Sequence, residues 1–425
     1  MAEAEATKGG FQVPANRRPI QALNTGWGAL QRAGFARPSL SKDALIHAAR
    51  RQTKLDDLGD DFEVPATRDA LERLLSSLEG EASLHPFGRA VIRGTLVGAI
   101  ATRLQLEQLS KEHPEFPAMP VEAPVFIAGL ARTGTTLLHR LLGCEPRLRP
   151  LLSWEGLTPA PRPGAAPPGN RPDPRVGRAR MAERALRYLA PEFFAIHPVE
   201  ADGYEEDVLL QDGSFMSPTV DATMPVPEYS AWLHEVDQRP MYRYFRRLVQ
   251  LLLWQRPGTY LGKTPHHLEN LPALLEVFPG AKVIVTHRDP AKVVPSFCSM
   301  MAHGRRLFSD KVNLEDIGRQ FHAKQLAGVT DAMAARESLP AEAFVDVHYA
   351  DLMADPMKQV RRIYDFLGYE LTDDTLASMK AFQSENPKDK RGAHRYTPED
   401  FGLNRDQLDR DFAAYRDAHG IELER

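Results

Sequence analysis

The sequence predicts an α/β protein: a P-loop-like parallel sheet flanked by helices, preceded by an N-terminal helical region. Over the first ~120 residues, apolar side chains recur with helical spacing and strand signals are few. After that point, short β-branched apolar runs alternate with helical runs, as in parallel β-α-β units. A chain of 425 residues is long for one compact domain. We therefore predict a helical cap region over 1–118 and the main α/β domain over 119–425.

Three helices are predicted in the cap region. The run SKDALIHAARRQTKL follows Ser41 as the expected N-cap, and TRDALERLLSSLEGEASL follows Thr67 in the same role. A third helix is predicted from about Phe87 to Lys111, because Pro114 ends the helical pattern.

The main domain alternates predicted strands with predicted helices. The strands are PVFIAG, TYLGK, KVIVTHR and AFVDVHY, and the helices are LLHRLLGC, HLENLPALLEVF, AKVVPSFCSMM and ADPMKQVRRIYDFLG. LVQLLLW at 248–254 predicts a buried helix, and the proline-rich stretch 158–175 predicts a surface loop. From about Ser384 the chain is polar and irregular, with short helices near its end.

Composition narrows the class of protein. With 53 basic against 57 acidic residues and a net charge of -4, the balance argues against a nucleic-acid partner. Cys144 and Cys298 form no C-x-x-C pair, so neither a disulfide framework nor a thiolate zinc site is expected, and no metal is predicted. The polar N-terminus lacks a secretory signal, and no run of about 18 apolar residues predicts a membrane span. These features predict a cytoplasmic protein.

A phosphate-binding loop is predicted at GLARTGTT, between a buried strand and a helix. Gly129 and Gly134 have the spacing of G-x-x-x-x-G-K-[ST], but Thr135 stands where that pattern has lysine. Glycines allow a tight turn whose N–H groups and helix N-terminus attract an anion. The predicted ligands are the side chain of Arg132 and the cradle formed by Thr133, Gly134, Thr135 and Thr136. A glycine turn that binds nothing is the simpler alternative.

This loop and a later block resemble the sulfotransferase family, in particular its bacterial branch with an R-[ST]-G-T-T loop. The block is TYLGKTPHHLENLPALLEVFPGAKVIVTHRDPAKVVPS, similar to K-[ST]-P-x-H, an apolar helix, F-P-x-A and a strand ending in R-D-P; the similarity covers about 120–405. It implies an enzyme, with 119–425 as its catalytic domain. The implied reaction moves a sulfuryl group from 3′-phosphoadenosine 5′-phosphosulfate, the donor, to an acceptor hydroxyl or amine without a metal.

Two alternatives were weighed against this resemblance. A P-loop kinase for a small molecule would need Mg²⁺ and the loop lysine, which is missing. A non-catalytic nucleotide-binding protein would not need the combination of Arg132, Lys263, Arg288 and Ser296.

A second anion site for the 3′-phosphate is predicted at the end of KVIVTHR. Arg288 can engage phosphate bidentately, and Ser296 adds a hydroxyl on the following helix; an ion pair of Arg288 with Asp289 or a neighbour is the alternative. The resemblance also implies Tyr349, at the end of AFVDVHY, near the adenine, and Arg391 and Gly392 in a basic loop over the 3′-phosphate. Leu137 replaces the tryptophan that related enzymes stack on adenine.

Sulfuryl transfer requires cations near the transferring group and a base for the acceptor proton. Arg132 and Lys263 are the expected cations. Because Pro265 stands two residues after Lys263, where cytosolic relatives have histidine, the base is open between Glu206, ranked first, Glu205 and His266. Asp202 and Glu205 have capping-box spacing at an expected helix start, which gives Glu205 a structural alternative. His197 is expected to be structural.

The acceptor is predicted to be a small molecule or lipid-like, with a weak preference for a hydrophobic alcohol. That preference rests on the apolar character of segments containing Phe193, Phe194, Tyr229 and Trp232. The oligomeric state is open, with a homodimer as one option.

Overall fold

Five parallel strands form the sheet at the centre of the described part of the chain. The computed structural model describes residues 11, 13, 15–34, 37–164, 173–386 and 396–424. The strands are β1 (Val125–Gly129), β2 (Leu148–Pro150), β3 (Thr259–Lys263), β4 (Lys282–His287) and β5 (Phe344–His348), in the spatial order β2-β3-β1-β4-β5. The α/β fold class and the four predicted strands are confirmed. The three-residue strand β2 was not predicted.

Helices cover both faces of this sheet because its central strand is apolar on both sides. Phe126 and Ala128 of β1 pack into a large core with the N-terminal helices, whereas Val125 and Ile127 pack into a second core on the opposite face. Alternate side chains of a strand point to opposite faces, so one buried run serves both cores.

The N-terminal helices share the larger core with the rest of the protein. They are α1 (Arg18–Arg32), α2 (Lys42–Thr53), α3 (Asp60–Glu63), α4 (Pro65–Gly80), α5 (Pro86–Glu112) and α6 (Glu115–Ala118). The buried Arg103 of α5 donates from Nε to the carbonyl of Gly213 at 2.6 Å. The division at 118/119 stays a prediction.

The remaining helices connect or follow the strands. They are α7 (Thr135–Leu142), α8 (Ser153–Leu157), α9 (Pro174–Leu189), α10 (Pro191–Ile196), α11 (Val208–Gln211), α12 (Pro218–Thr223), α13 (Pro227–Glu235), α14 (Arg239–Gln255), α15 (His266–Glu269), α16 (Leu271–Val277), α17 (Pro290–Arg306), α18 (Leu314–Arg336), α19 (Tyr349–Ala354), α20 (Pro356–Leu367), α21 (Asp373–Glu385), α22 (Arg405–Asp411) and α23 (Ala413–His419). Short 3-10 helices span Asp212–Ser214, Ala341–Ala343 and Pro398–Phe401. Among the described residues, none of these helices combines the length and the apolar character that crossing a lipid bilayer requires.

Several local predictions are confirmed. Ser41 caps α2 by accepting the N–H of Ala44, and α5 matches the helix predicted from about Phe87 to Lys111. The apolar stretch 248–254 lies inside α14, with most of its side chains buried.

Other local predictions are wrong. Thr67 does not cap a helix, because α4 begins at Pro65 after Val64 and Thr67 is buried in its first turn. HLENLPALLEVF forms two helices, α15 and α16, because Asn270 leaves the helical conformation (φ -137°) before Pro272. No helix begins between Asp202 and Glu205, and Tyr349 starts α19 instead of ending β5.

Candidate active site

The candidate site lies where β1, β3 and β4 end side by side. The carboxyl ends of parallel strands share one edge of a sheet, and ligands of α/β proteins bind at that edge. The loop after β1 therefore lies between Lys263, which ends β3, and Arg288, which follows β4.

The loop Leu130–Gly134 is held by glycines and by a buried threonine pair. Gly129 has φ +135°, and a side chain there would overlap Thr286 of β4. The Thr133 hydroxyl donates to the Leu130 carbonyl at 2.6 Å and lies 2.6 Å from the Thr286 hydroxyl. Thr133 is therefore turned into the fold, although its backbone remains in the loop.

The remaining loop residues surround the start of α7. Gly134 has φ +87° at the N-cap, Thr135 is buried in the first turn, and Thr136 is exposed. Arg132 has a left-handed φ of +68°, which is costly for a residue with a side chain. This conformation leaves its guanidinium exposed beside the loop. Free N–H groups of a helix start together with an exposed arginine suit a phosphate or sulfate group.

Four predicted donor-binding residues meet on the β4 side of the loop. Arg132 Nε donates to Ser296 Oγ of α17 at 3.2 Å, and Arg288 NH1 donates to the Arg132 carbonyl at 3.0 Å. The Arg288 guanidinium lies 3.9 Å from the ring centroid of Tyr349. A side chain at Gly134 would come within 3.3 Å of the Tyr349 ring, so this ring packs close to the loop.

The outer edge of the Arg288 guanidinium is held by the carboxylate of Glu424. Arg288 Nε and NH2 donate to the two carboxylate oxygens at 2.7 and 2.9 Å. Despite partial burial, this pairing raises the pKa of Arg288. The backbone of Glu424 is fixed as well: its N–H donates to Asp289 at 2.8 Å and its carbonyl accepts from Arg405 at 2.8 Å. A planar two-oxygen anion thus occupies the fork of Arg288.

On the β3 side, Lys263 and Glu206 form a close ion pair. Lys263 Nζ lies 2.5 Å from Glu206 Oε1, and the lysine is buried while the glutamate is partly exposed. The structure therefore brings the predicted cation together with the first-ranked base.

Glu205 faces a different partner from Glu206. Its Oε1 lies 3.7 Å from His197 Nε2 and accepts the backbone N–H of Glu206 at 2.9 Å. Burial alone would raise the pKa of Glu205, but the neighbouring His197 imidazole lowers it. Burial would lower the pKa of His197, but the neighbouring Glu205 carboxylate raises it above its usual value. This pair, and not a capping box, accounts for Glu205.

His266 lies apart from the Lys263–Glu206 pair. It is buried in α15, with Nδ1 3.3 Å from Glu269 and Nε2 3.4 Å from the side chain of Asn270. Burial would raise the pKa of Glu269, but Lys324, assisted by His266, lowers it to about 2. In the part of the chain that the structure describes, no hydrogen bond or ion pair connects His266 with Lys263 or Glu206.

Beneath the pair lies a buried network centred on Asp207, which the sequence did not single out. Asp207 accepts from the Tyr260 hydroxyl at 2.6 Å and lies 2.9 Å from His267 Nε2. Its backbone N–H donates to the carbonyl of Lys263 at 3.1 Å. Burial lowers the pKa of His267 although Asp207 opposes the shift. Gly262 is required here because a side chain would overlap the Asp207 carboxylate. The network fixes the backbone from which Lys263 projects.

Within the described part of the chain, one group of side chains has the ligand types of a metal site. Ligand atoms of His287, Asp346 and His419 lie within 4.8 Å of one another. Both ring nitrogens of His287 are already hydrogen-bonded, to Asp346 and Tyr415, and Arg336 holds both oxygens of Asp346. Hydrogen bonds and an arginine therefore account for this group without an ion.

The four aromatic residues predicted to shape the acceptor site lie in different surroundings. Phe193 of α10 lies 6.0 Å from the ring of His197, next to the acidic segment. Tyr229 is buried, with its hydroxyl donating to the Phe215 carbonyl, and Trp232 stacks with Arg73 of α4. Phe194 is buried behind Phe193 in α10.

Some predicted residues cannot be compared with the structure. Arg391, Gly392 and much of the proline-rich stretch lie outside the described residues. Conversely, no local sequence pattern points to Glu424, which is 136 positions from its partner Arg288. Asp207 follows the two predicted acids directly, but only the fold reveals its contacts with His267 and Tyr260.

Comparison with known proteins gives one consistent result. The profile of the Sulfotransferase family matches residues 124–374, which is more than half of the chain. The chain is also 26% identical over 299 residues to the omega-hydroxy-beta-dihydromenaquinone-9 sulfotransferase Stf3 of Mycobacterium bovis, covering 65% of this chain and 71% of that protein.

Two solved structures are similar over most of the chain. Sulfotransferase STF9 from Mycobacterium avium has a TM-score of 0.82 at 30% identity, with 92% of this chain and 99% of that chain covered. Sulfotransferase STF1 from Mycobacterium tuberculosis has a TM-score of 0.77 at 30% identity, with 89% and 100% covered.

Proposed function

Because the chain belongs to the sulfotransferase family, and is therefore an enzyme of sulfuryl transfer, we propose that its donor is 3′-phosphoadenosine 5′-phosphosulfate and its acceptor an apolar alcohol. The observation that carries the donor assignment is the meeting of Arg132, Arg288 and Ser296 beside a lysine-free phosphate loop. This arrangement offers two separate positions for anions, and the donor has two separate phosphate groups.

The residues present fit this donor. The loop 130–136 and Arg132 would hold the 5′-phosphosulfate at the start of α7. Arg288 and Ser296 would hold the 3′-phosphate, and Tyr349 would flank the nucleoside. The Arg288 guanidinium already binds a two-oxygen anion, the carboxylate of Glu424, by donating two hydrogen bonds. This contact supports the proposal that Arg288 binds a phosphate. When bound, the donor supplies the sulfuryl group; the protein supplies position and charge.

We propose that Glu206 is the base and Lys263 the cation beside the transferring group. Glu206 is partly exposed and faces Lys263, so its carboxylate can reach an acceptor hydroxyl next to that lysine. Glu205 and His266 are engaged by His197 and Glu269. Glu206 would take the hydroxyl proton as the acceptor oxygen attacks the sulfur of the sulfuryl group. Lys263 and Arg132 would balance the negative charge on the leaving adenosine 3′,5′-bisphosphate as its oxygen–sulfur bond breaks.

The acceptor class rests on a relative and on the local chemistry. The name of the Mycobacterium bovis relative states an omega-hydroxylated menaquinone as its acceptor, which is a long apolar alcohol. In this chain, Phe193 adjoins the segment that carries Glu206 through its contact with His197. We infer an apolar alcohol of the same general class and propose the cytoplasm as the site of action, since the two free cysteines suit a reducing compartment.

The donor is tested by binding. Adenosine 3′,5′-bisphosphate is expected to raise the melting temperature, and ATP with Mg²⁺ is expected to raise it far less. Stabilisation by ATP–Mg²⁺ alone would overturn the donor assignment and favour a kinase.

The base is tested by turnover with labelled donor and a long-chain prenyl alcohol. Glu206→Gln should lower kcat by about 10²–10⁴-fold, because it removes the proton acceptor, and should leave bisphosphate binding intact. Glu192→Gln, which alters an exposed acid of α10, is the matched control. An unchanged rate in Glu206→Gln would refute Glu206 and move the base to Glu205 or His266.

A further inference from the structure

Exposed large apolar side chains occur in pairs on two helices, α1 and α9. Among the described residues, exposed large hydrophobic side chains are Leu23 (51%), Leu30 (50%), Met181 (64%) and Tyr188 (59%), together with Val64, Val91, Leu157 and Leu423 elsewhere. Half of this set thus lies on two helices. Such clustering in an otherwise polar surface marks an interaction site.

On α1 the exposed leucines belong to one apolar stripe. Leu23 and Leu30 are exposed and Trp27 is partly exposed, and their spacing of four and three residues places them on one side of the helix. The adjoining edge of this stripe holds α1 in the fold: Ile20, seven residues before Trp27, is buried, and Asn24 accepts the N–H of Phe87 at 2.9 Å. Packing therefore fixes α1 with Ile20 buried and with Leu23 and Leu30 exposed at the edge of the contact.

On α9 the exposed apolar residues are also on one side. Met181 and Tyr188 are seven residues apart, or about two turns. Arg175 and Ala179 are buried on the other side. The Arg17 guanidinium lies 6.0 Å from the Tyr188 ring, so the start of α1 meets the end of α9. We call the surface formed by the exposed residues of α1 and α9 the basic apolar face.

Arginines dominate the charge of this face. Its exposed arginines are Arg17, Arg18, Arg32, Arg178, Arg180, Arg184 and Arg187. The region 15–34 contains no acid. The nearby acids are Glu183, which pairs with Arg187, Asp202, which pairs with Arg180, Asp173, which pairs with the buried Arg175, and Glu192 of α10. The face is therefore cationic on a chain whose net charge is -4.

We propose that the basic apolar face docks on the surface of an anionic lipid bilayer. Helices with leucine and tryptophan on one side and arginine around them bind the boundary between headgroups and acyl chains. Each arginine near an anionic bilayer adds to the attraction between the face and the lipid headgroups. A second copy of this chain fits less well, because a twofold contact would bring the arginines of the two faces together. Nucleic acid would leave the exposed leucines and methionine unexplained.

Docking through the basic apolar face would bring the acidic segment of the active site close to the bilayer. This argument rests on the proposed apolar acceptor. The Glu183 carboxylate of α9 accepts the backbone N–H of Ala201 at 3.0 Å, and Arg180 pairs with Asp202 at 2.9 Å. These contacts tie α9 to the segment that carries Glu205 and Glu206. A docked enzyme therefore holds its acidic segment near the bilayer, where an apolar alcohol is dissolved.

Co-sedimentation with vesicles tests the proposal without donor or acceptor. The full chain should sediment with vesicles of phosphatidylglycerol and phosphatidylcholine, and far less with phosphatidylcholine alone. Arg178→Glu with Arg184→Glu should weaken this binding at least about tenfold, because each charge reversal removes an attraction and adds a repulsion. Leu23→Ser with Met181→Ser should also weaken binding, at constant charge.

Matched controls lie outside the face. Arg361→Glu on α20 and Val64→Ser before α4 change exposed residues of the same types and should leave vesicle binding unchanged. Circular dichroism checks folding, and turnover of a short water-soluble alcohol checks the site separately from docking. Equal binding by the wild type and both face variants would overturn the proposal. So would a dimer in sedimentation equilibrium that the face variants abolish, because it would assign the face to a second copy.

Discussion

The two basic residues Lys263 and Arg288 at the candidate site are held by different kinds of partner. Lys263 has one acidic partner, Glu206, whereas Arg288 is shared among a carboxylate, a backbone carbonyl and an aromatic ring. An arginine can serve all three because its planar fork donates at its edge and stacks on its face. The Glu424 carboxylate is the partner that a 3′-phosphate would have to replace.

This replacement gives a prediction for Glu424. Glu424→Gln should tighten the binding of adenosine 3′,5′-bisphosphate by roughly tenfold, because a charge-assisted hydrogen bond contributes about 1.5–3 kcal/mol and would no longer compete. Isothermal titration calorimetry measures the change. Glu422→Gln, which alters an exposed acid two positions earlier, is the control.

Arg288→Ala should act in the opposite direction and weaken the same binding by more than tenfold. If Glu424→Gln also weakened binding, Glu424 would support the fork of Arg288 instead of competing for it.

The His197–Glu205 pair predicts a pH dependence of stability. The pKa of His197 is raised above 6.5, so its contribution is full below about 6.5 and is lost as pH rises through the raised value. The pKa of Glu205 is lowered below 4.5, so its contribution is full above about 4.5 and is lost as pH falls through the lowered value. Together they stabilise the fold most between about pH 4.5 and 6.5. Urea unfolding of wild type and His197→Gln should differ most near pH 5.5 and little at pH 9. A difference that is constant with pH would show that the pair is not charged in the native state.

At the scale of elements, the sequence predicts best where one physical signal dominates. The sequences of β1, β3, β4 and β5 are rich in β-branched or apolar residues, so these four strands were predicted correctly. The glycines after β1 stand where the turn requires positive φ, so the course of that loop was also predictable, whereas its ligand stays a prediction. β2 has three residues, too few for any period, and joins the sheet only through its pairing with β3. Thr67 and the Asp202–Glu205 spacing satisfied capping patterns, but Pro65 and the His197 contact decided the structure there. Long-range partners such as Glu424 leave no local signal.

The contact between β3 and the Asp207 network is testable at Gly262. Gly262→Ala adds a methyl group that would overlap Asp207 and lie 2.7 Å from the Phe126 ring. We expect a loss of about 1–3 kcal/mol in the free energy of unfolding and a lower kcat, because Lys263 follows directly. Gly98→Ala in α5 has open space around it and should be neutral or stabilise by up to about 1 kcal/mol. Equal stability of the two variants would show that the Asp207 network moves aside without cost.

At the scale of the molecule, the cap helices and the sheet share one apolar core. This core contains residues from Leu40 in the N-terminal part to Tyr415 near the C-terminus. A shared core predicts that the cap region does not unfold independently.

Leu104→Ala, a buried change in α5, should lower the free energy of unfolding by about 2–5 kcal/mol in a single transition. Loss of bisphosphate binding should coincide with that transition in a thermal scan. Val91→Ala in the same helix is partly exposed and should change stability much less. Two separate transitions, with binding lost only in the second, would instead support independent domains at 118/119.

The strand order has a consequence for how such an enzyme can diverge. β1 separates β4, with the proposed donor residues, from β3, with Lys263 and its acidic partner. In the segment 174–206, which carries α9, α10 and the acidic pair, Glu206 contacts Lys263 at the end of β3. Substitutions in this segment, away from the packing of α10 on α17, can accumulate without disturbing the groups around Arg288. Selection can thus change which acceptor is recognised while the proposed donor-binding residues are inherited intact.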